Sequence, residues 1–397
     1  MIEYKTAGES HGRGYNVIIS GLPAGLKLKA DDIDFHLARR QTGYGRGARM
    51  KKIEKDKINI IAGVRWGETI GSPVSFFIKN EDWENWGTIM SERAEDESEK
   101  FVMTTPRPGH ADLAGLIKYG REDLRDILER ASARETAAKV AVGSVCMRFL
   151  AELGVKIHSF TKEIGGIRAK SIKYDYEDVV RKTANSAVRC IDESVEDEMK
   201  NAIDKAAEAG DTLGGVFTVV VWGLAPGFGS YVEWDKRLDG RIAQAVMSIP
   251  AVKGVEIGRG FRMASLPGSK VHDRIYYGEK DGFFRKTNNA GGIEGGISNG
   301  MPVFVRAAIK PIPSLKKPMG TVDIKTKKEV PALIVRSDVC VVPAAGVIGE
   351  AVVAISIANA VLEKIGGDCM RDVLANYNSY LERIKDYWKP SSQETPS

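Results

Sequence analysis

Short runs of β-branched and aromatic residues recur along the whole chain, separated by polar stretches. Such runs, bounded by glycine and polar residues, are typical of β-strands. They predict strands at residues 15–20, 58–62, 74–78, 217–222 and 303–309. The sequence therefore contains β-structure throughout its length.

Helical patterns are fewer, and polar residues mark their ends. Residues 31–40 carry acidic side chains in the first turn and arginines in the last, which complements the helix dipole. The clearest helix begins at Ser132 and Glu135, which have the spacing of a capping box. It is predicted to end at Gly154, because glycine commonly follows the last turn of a helix.

Two more helices complete the predicted core of the protein. Residues 194–209 form a charged amphipathic pattern, whereas residues 349–365 are small and apolar on most sides, as in a buried helix. No Pro/Ser-rich linker interrupts the chain, so the mixture of strands and helices predicts an α+β fold. We expect a single large domain over residues 1–388, with sheets flanking the helices. Residues 80–100 are polar and acidic, which predicts a mobile surface loop, and residues 389–397 have the composition of a disordered tail.

The overall composition is that of a soluble globular protein, with 43% apolar and 28% charged residues. The formal net charge of +5 is modest, and residues 39–52 concentrate the basic excess: six basic residues and no acidic one. A concentrated excess favours an anionic small-molecule ligand over a nucleic-acid coat. We therefore expect a small-molecule substrate and no nucleic-acid partner.

Cysteine usage and apolar segments predict where the protein resides. The four cysteines are far apart and form no CxxC pair, which argues against a zinc site or a disulfide framework and favours a reducing cytoplasm. The first residues lack the apolar core of a secretory signal. The apolar run at residues 351–360 is shorter than the roughly 20 residues that span a bilayer. We expect a cytoplasmic protein without bound metal or membrane segment.

Two of the five histidines lie in short, glycine-punctuated loops: His11 within GESHG and His110 within RPGHAD. The unperturbed pKa of imidazole lies near neutrality, so a loop that fixes an imidazole suits proton transfer. A lone histidine in such a loop more often satisfies a backbone turn. Two of them among many arginines favour catalysis.

Other polar residues stand where an anion or a buried partner is expected. Arg130 and Arg134 flank the start of the best-capped helix, where free N–H groups and the dipole favour phosphate, although solvated arginines at an ordinary cap are the alternative. The glycine-rich segment 291–296 permits close backbone approach to a flat or phosphorylated ligand. Asp338 precedes an apolar run, so it should be partly buried and needs a partner, either structural or catalytic.

A second class of function is an RNA-binding protein that uses the basic segment 39–52. Its sequence GYGRG, at residues 43–47, is similar to Arg/Gly-rich RNA-binding segments. The segment is short, however, and such a role requires a steep loss of binding with salt. The sequence contains no GxGxxG after a predicted strand, no Walker loop and no HExxH motif.

Six motifs in one order resemble the chorismate synthase family. They are GESHG, RRxxGYGR, RPGHAD, SARET, MSIPAVKGVE and AGGIEGGI, and the resemblance covers about residues 2–365. It implies a lyase that performs an anti-1,4-elimination of phosphate and a ring proton from 5-enolpyruvylshikimate 3-phosphate. The product is chorismate, and the reaction has no net redox change. Reduced FMN is nevertheless required, and it is thought to donate an electron transiently and help to receive the proton. A β-α-β sandwich and a homotetramer are also implied.

The resemblance assigns roles to individual residues. The catalytic residues would be His11 beside the leaving phosphate, His110 near the flavin, and Asp338 in proton removal. The substrate, with two carboxylates and a phosphate, would be bound by a cluster rich in arginine, whose fork suits such anions: Ser10, Arg40, Arg46, Arg107 and Arg134. The flavin would be bound by Arg130, Ala131, Ser132, Pro250, Ala251, Gly295, Lys310, Pro311, Ile312, Pro313, Ser314 and Arg336. NADP would bind at Arg40 and Arg46.

Two positions depart from the family pattern, and one functional alternative stays open. Ala131 stands where many members have a serine, and Asn289 replaces a histidine found in some relatives. Both concern only details of flavin binding. The sequence does not decide whether NADPH reduces the flavin on this protein. A plain FMN-dependent oxidoreductase is the alternative enzyme.

Overall fold

The computed structural model describes residues 1–47, 56–170, 174–279, 281–334 and 338–389. Eleven helices occur in the described ranges. They are α1 (Ala30–Gln41), α2 (Trp83–Trp86), α3 (Asp112–Tyr119), α4 (Arg125–Leu128), α5 (Thr136–Ala151), α6 (Tyr176–Asn185), α7 (Glu196–Glu208), α8 (Leu238–Met247), α9 (Gly268–Val271), α10 (Val342–Ile365) and α11 (Met370–Ile384).

Two antiparallel sheets contain most of the longer strands. The four-stranded sheet has the order β1-β2-β6-β3, and the five-stranded sheet has the order β10-β15-β9-β7-β8. Their strands are β1 (Glu3–Ala7), β2 (Gly14–Ser20), β3 (Ile58–Ala62), β6 (Val74–Lys79), β7 (Lys156–Ile164), β8 (Ile167–Arg168), β9 (Gly215–Trp222), β10 (Val252–Ile257) and β15 (Val303–Ile309).

The remaining strands form four two-stranded hairpins within the described ranges. The pairs are β4 (Val64–Arg65) with β5 (Glu68–Thr69), β11 (Ile275–Gly278) with β12 (Gly282–Arg285), β13 (Ile293–Glu294) with β14 (Ile297–Ser298), and β16 (Gly320–Val322) with β17 (Glu329–Pro331).

Alternation of side chains explains how the four-stranded sheet is covered. On β2, Tyr15, Val17 and Ile19 are buried, whereas Asn16 and Ile18 are exposed. Successive side chains of a strand point to opposite faces, so one face of this sheet joins the core and the other meets solvent. By contrast, β9 is buried on both faces, because α6 covers the outer side of the five-stranded sheet through Val179.

Two long helices pack against the sheets and against each other. Helix α5 contacts β2 of the four-stranded sheet, α10 contacts β7 and β9 of the five-stranded sheet, and α5 and α10 contact each other. Small residues permit this approach: a Cβ added at Gly143 would lie 2.3 Å from Ala351, and one at Gly349 would lie 2.5 Å from Phe217. The result is an α+β fold in one domain, with a single main apolar cluster that draws on both sheets.

The predicted strands at 58–62 and 303–309 have the observed bounds, and the other three are within two residues of theirs. The buried helix predicted at 349–365 begins earlier, at Val342, because Pro343 stands in its first turn, where a missing N–H costs nothing. Helix α10 is long and apolar enough to span a membrane, but 89% of its most apolar window is buried inside the protein. It is an interior helix.

The N-terminal strand is tied to this interior helix. The backbone N–H of Ile2 donates to Oδ1 of Asn359 at 2.6 Å, and Nδ2 of Asn359 donates back to the Ile2 carbonyl at 3.1 Å.

Two other predictions concern segments at the surface of the protein. Residues 80–100 carry α2 and two short 3-10 turns, so the segment has more regular structure than a plain loop. The predicted tail, apart from Lys389, lies outside the described residues.

Candidate active site

His11 lies in the loop between β1 and β2 and is held by a buried carboxylate. Nδ1 of His11 is 2.9 Å from Oε2 and 3.1 Å from Oε1 of Glu129, and the backbone N–H of His11 donates to the same Oε2 at 2.9 Å. The Glu129 side chain is only 1% exposed. Trp86 of α2 stacks on the imidazole with ring centroids 3.8 Å apart. The imidazole ring is therefore held by Glu129 at Nδ1 and by stacking of Trp86 on one face.

The segment that follows Glu129 joins the His11 loop to the start of α5. The Ser132 hydroxyl donates to that of Ser10 at 3.1 Å, and the Ser10 N–H donates to the Glu129 carbonyl at 2.9 Å. Arg130, which is exposed, donates to the carbonyls of Gly8 and Thr6. These contacts bring the GESHG and SARET motifs together.

The predicted helix start at Ser132 is correct, but the predicted capping box is only half formed. The Ser132 side chain accepts from the Arg134 N–H and caps a 3-10 turn that leads into α5. Glu135 instead accepts from the Thr6 hydroxyl at 3.2 Å. The glutamate therefore ties the helix to β1 and does not close its own first turn.

Arg40 and Arg134 converge on one buried carboxylate, that of Asp56. Two nitrogens of Arg134 donate to Asp56 at 3.0 and 2.7 Å, and Nη1 of Arg40 is 3.5 Å from it. Arg40 also donates to the hydroxyl of Thr136 and the carbonyl of Ala133. Both predicted substrate arginines thus lie at the start of α5, next to Ser132 and Ser10.

Asp338 and Arg46 form a separate pair. Nη1 of Arg46 donates to Oδ2 of Asp338 at 2.7 Å, and the Gly47 N–H donates to Oδ1 at 2.6 Å. The sequence predicted that Asp338 would be partly buried and would need a partner. The structure supplies both, with 16% of its side chain exposed and Arg46 as the partner.

The RPGHAD loop has an internal ion pair. Arg107 donates to both oxygens of Asp112 at 2.8 and 2.9 Å. Burial raises the pKa of Asp112, but the hydrogen bonds from Arg107 outweigh it and leave the pKa below its usual value. His110 contacts the Pro108 carbonyl through Nδ1 and the Ser314 hydroxyl through Nε2, each at 3.2 Å. Burial, followed by the charge of Arg107, lowers the pKa of His110, which favours its neutral form.

The predicted flavin segment 310–314 packs against this loop. Nζ of Lys310 donates to the Gly109 carbonyl at 2.7 Å, and the Lys310 N–H donates to the Ala251 carbonyl at 3.0 Å. Pro313 contacts Gly109 closely enough that a Cβ there would lie 2.7 Å away. Ala251 has φ +70°, a conformation rare for a residue with a side chain. Pro250, Ala251 and the 310–314 segment therefore share one side of the His110 loop.

A chain of polar contacts runs from β1, which leads into the His11 loop, to Ser248, which precedes Pro250 and Ala251. Thr6 binds Glu135, Glu135 lies 3.8 Å from Lys139, and Lys139 donates to the Ser248 carbonyl just before Pro250. Their chain positions are distant, so the fold itself assembles them.

One predicted flavin residue, Gly295, lies away from the segment at Pro250. Gly295 lies in the β13–β14 turn, and the next residue, Gly296, accepts from Leu238 at the start of α8. Pro250 follows the other end of this ten-residue helix, about 15 Å away. Arg336 lies outside the described residues.

The structure shows the surroundings of Ala131 and Asn289, the two residues that depart from the family pattern. Ala131 is exposed beside Arg130, so its missing hydroxyl leaves no buried group unsatisfied. Asn289 is buried, its Nδ2 donates to the Val271 carbonyl, and its N–H donates to Asp273. Asn289 therefore anchors its own loop.

Three residues of the site were not predicted from the sequence: Glu129, Asp56 and Trp86. Glu129 stands directly before Arg130, which is the only local signal. Asp56 and Trp86 have no recognisable catalytic motif next to them in the sequence. Among the residues that the structure describes, no group of three or more His, Cys, Asp or Glu is arranged to hold a metal ion.

The described arginines of the basic segment do not resemble an RNA-binding surface. Arg39, Arg40 and Arg46 are paired with Glu350, Asp56 and Asp338 respectively and are largely buried. Cations that contact RNA are exposed to solvent and accessible to the phosphate backbone of the RNA.

Comparison with known proteins identifies the family. The family model described as chorismate synthase matches residues 2–362. The chorismate synthase of Geobacter sulfurreducens is 54% identical over 98% of this chain and 100% of its own length. That of Syntrophotalea carbinolica is 55% identical over 97% of this chain and 99% of its own. A solved structure titled "Crystal Structure of Chorismate Synthase" has a TM-score of 0.79 and 43% identity, covering 97% of this chain and 99% of that one.

These matches, with the geometry above, define a carbon–oxygen lyase that acts on a phosphorylated small molecule. The chain belongs to the chorismate synthase family. Enzymes of this family convert 5-enolpyruvylshikimate 3-phosphate to chorismate in aromatic amino acid biosynthesis, and they depend on a reduced flavin.

Proposed function

We propose that this chain performs the family reaction at a site formed by the GESHG and SARET loops together with the RPGHAD loop. The contact between Ser10 and Ser132 at 3.1 Å carries the proposal, because it joins two of the family motifs beside His11. His11 would donate a proton to the departing phosphate. Charge that develops on a leaving group is stabilised best by fixed donors and cations.

His110 and Asp338 take the other polar roles in the proposal. The lowered pKa of His110 favours a neutral imidazole in the free protein, which suits a group that exchanges a proton with a bound ligand. Asp338 would assist removal of the ring proton. Its carboxylate is held by Arg46 and the Gly47 N–H, so its position is fixed before the substrate arrives.

The arginines of the proposed substrate cluster are not bare cations. Arg40, Arg46, Arg107 and Arg134 each pair with a carboxylate of the chain. Such pairs fix the direction of each guanidinium, whose five N–H donors exceed what one carboxylate accepts. The four guanidinium groups, oriented in this way, would bind the phosphate and two carboxylates of the substrate together with Ser10.

The predicted flavin residues fit FMN in their chemistry. Arg130 and Lys310 supply cations for a phosphate, whereas Ala131, Pro250 and Pro311 are exposed and can pack on a flat ring. No described atom lies within 4 Å of the point where a Cβ of Gly295 would stand. FMN is elongated enough to contact both ends of α8. Ser132, Ala251, Ile312, Pro313, Ser314 and Arg336 complete the set. These residues would hold a reduced flavin, which would supply the transient electron and help to receive the proton.

Several finer features belong to the same proposal. The layers form a β-α-β sandwich, residues 80–100 move during turnover, and the protein is a cytoplasmic homotetramer. Exposed Trp66, Trp234 and Phe261 supply apolar surface for subunit contacts. NADPH, if it reduces the flavin here, would compete with Asp56 and Asp338 for Arg40 and Arg46.

An anaerobic assay that follows phosphate and NADPH together tests the proposal. With reduced FMN in catalytic amount, we expect one phosphate released per substrate and no stoichiometric loss of NADPH. NADPH consumption that matches substrate, without phosphate release, would instead establish an FMN-dependent oxidoreductase.

A further inference from the structure

A buried carboxylate beside His11, that of Glu129, has no role in the reaction as proposed above. Glu129 receives the His11 backbone N–H and contacts Nδ1 with both carboxylate oxygens. Its other charged neighbour is Arg125, whose Nη1 lies 3.3 Å from Oε1. A carboxylate 1% exposed must be stabilised by partners, and these two residues provide them.

An aromatic side chain holds the same imidazole from another direction. Trp86 stacks on His11 with an interplanar angle of 26°, and its Nε1 donates to Asp82 at 3.0 Å. The Arg125 guanidinium lies 5.5 Å from the Trp86 ring centre. The indole, the imidazole and the carboxylate are therefore mutually fixed, with Arg125 in contact with two of them.

We propose that Glu129 is a positioning residue for the reaction: it keeps a proton on Nδ1 of His11 and so makes Nε2 the nitrogen that faces the substrate. Trp86 completes the arrangement by blocking rotation of the ring. The inference rests on the proposed role of His11 as proton donor.

The chemistry follows from the two nitrogens of imidazole. A neutral imidazole carries one proton, and the hydrogen bond made by one nitrogen decides which nitrogen carries it. With Nδ1–H donated to a carboxylate, Nε2 alone exchanges a proton with the ligand. In the proton-donating form of the ring, both nitrogens carry a proton. When phosphate leaves, the Nε2 proton moves to a phosphate oxygen, and the neutral Nδ1–H form remains.

The first test uses the wild-type protein and does not depend on turnover. Ring-¹⁵N-labelled histidine gives separate signals for the two nitrogens, and comparison with His11→Asn assigns those of His11 among only five histidines. We expect Nδ1 to stay protonated from pH 6 to 9 in solid-state NMR spectra of the free protein. A deprotonated Nδ1 at pH 9 overturns the inference, even if no variant of Glu129 folds.

The second test measures the pH dependence of kcat/KM. Glu129→Gln keeps the size of the side chain but removes its charge, so we expect turnover to fall about 10²-fold and the alkaline limb to move to lower pH. Glu129→Asp should restore the position of that limb, because it restores the charge. Glu152→Gln is the matched control: this glutamate pairs with Arg148 at the far end of α5, and its loss should change neither quantity.

The outcomes separate the two proposals. If His11→Asn abolishes turnover but Glu129→Gln leaves the pH profile unchanged, Glu129 has no positioning role and the role of His11 stands. If His11→Asn retains turnover while Nδ1 is still protonated, the pairing is structural and the assignment of the proton donor is wrong.

Discussion

Arg39 and Arg40 are neighbours on α1, yet they belong to two polar clusters of different kinds. Arg39 donates to both oxygens of Glu350, which is fully buried on α10, at 2.6 and 2.8 Å. Arg189 and His158 lie beside the same pair. Arg40 instead turns to Asp56 and the start of α5, beside Ser132 and Ser10.

The difference lies in what surrounds each cluster. Glu350 accepts from the Ser159 hydroxyl and N–H as well as from Arg39, so two helices and a sheet satisfy it fully. The Arg40 cluster borders loops that also carry Ser10 and the exposed Arg130. The same residue types therefore hold the fold together in one place and, in the proposed function, bind the substrate in the other. The location of their partners, on core elements or on loops, distinguishes the two functions.

The largest expected effect is on stability at the Glu350 cluster. Glu350→Gln leaves Arg39 and Arg189 without a buried counter-charge, so the free energy of unfolding should fall by about 3–5 kcal/mol. Chemical denaturation measures it. Glu363→Gln on the same helix is the control, because Glu363 is a surface partner of Arg241 and Lys236 and should contribute at most about 1 kcal/mol. Equal losses for the two variants would refute the distinction.

The next largest expected effect is on turnover, when one of the proposed catalytic residues is replaced. His11→Ala, His110→Ala and Asp338→Asn should each lower kcat by about 10² or more, the usual contribution of a general acid or base. That factor corresponds to about 2.7 kcal/mol of transition-state stabilisation. Steady-state phosphate release measures it, and exposed His272→Ala is the control. A variant that keeps turnover within a factor of a few removes its residue from the catalytic set.

A third prediction concerns the stability of the protein at low pH. Burial, with Arg39 nearby, lowers the pKa of His36 to about 4, and burial lowers that of His158 to about 3. The unfolded chain therefore takes up these protons first, so stability should fall as pH drops from about 6.5 towards 4. Each histidine adds a slope of up to about 1.4 kcal/mol per pH unit.

Glu350 acts in the same direction at lower pH. Burial raises its pKa, but the charge and the hydrogen bonds of Arg39 outweigh this and hold the pKa well below its usual value, so its contribution is lost as pH falls below about 4.5. Unfolding midpoints at pH 7, 6 and 5 test the histidine part. His158→Asn should flatten the slope, whereas a His272→Asn variant with the same flattening would contradict the assignment.

The smallest expected effect compares two threonines, one in each cluster. Thr136 accepts from Arg40, and Thr183 contacts Nε2 of His158 at 2.8 Å. Replacement of either by valine should lower stability by about 1 kcal/mol, the usual net worth of a hydrogen bond. Only Thr136→Val should also raise KM for the substrate, by a few-fold. A similar rise in KM for Thr183→Val would show that the clusters are coupled.

The sequence predicted features whose signals are local. The strand Val303–Ile309 and the end of α5 near Gly154 follow from short patterns of apolar residues and glycine. The start of α10 was missed, because Pro343 and Gly346 weaken the helical pattern in its first turns. For that helix, burial against α5 and the five-stranded sheet outweighs propensity.

The candidate site was predictable only in part. The motifs identified His11 and Arg134, since the family resemblance marks them, but their partners Glu129 and Asp56 are fixed by tertiary contacts across 118 and 78 residues of chain. No local pattern encodes such a pairing. The sequence predicted two catalytic histidines among many arginines, and the structure adds a carboxylate, Glu129, beside His11.

The anchor between Ile2 and Asn359 has a consequence for when this enzyme can first work. Strand β1 precedes the His11 loop, and Ile2, the residue directly before this strand, is held by a helix residue 357 positions later. Contacts of such high sequence separation form only after a large loop has closed. During synthesis on the ribosome, the anchor that fixes the start of β1 can therefore form only once Asn359 has emerged.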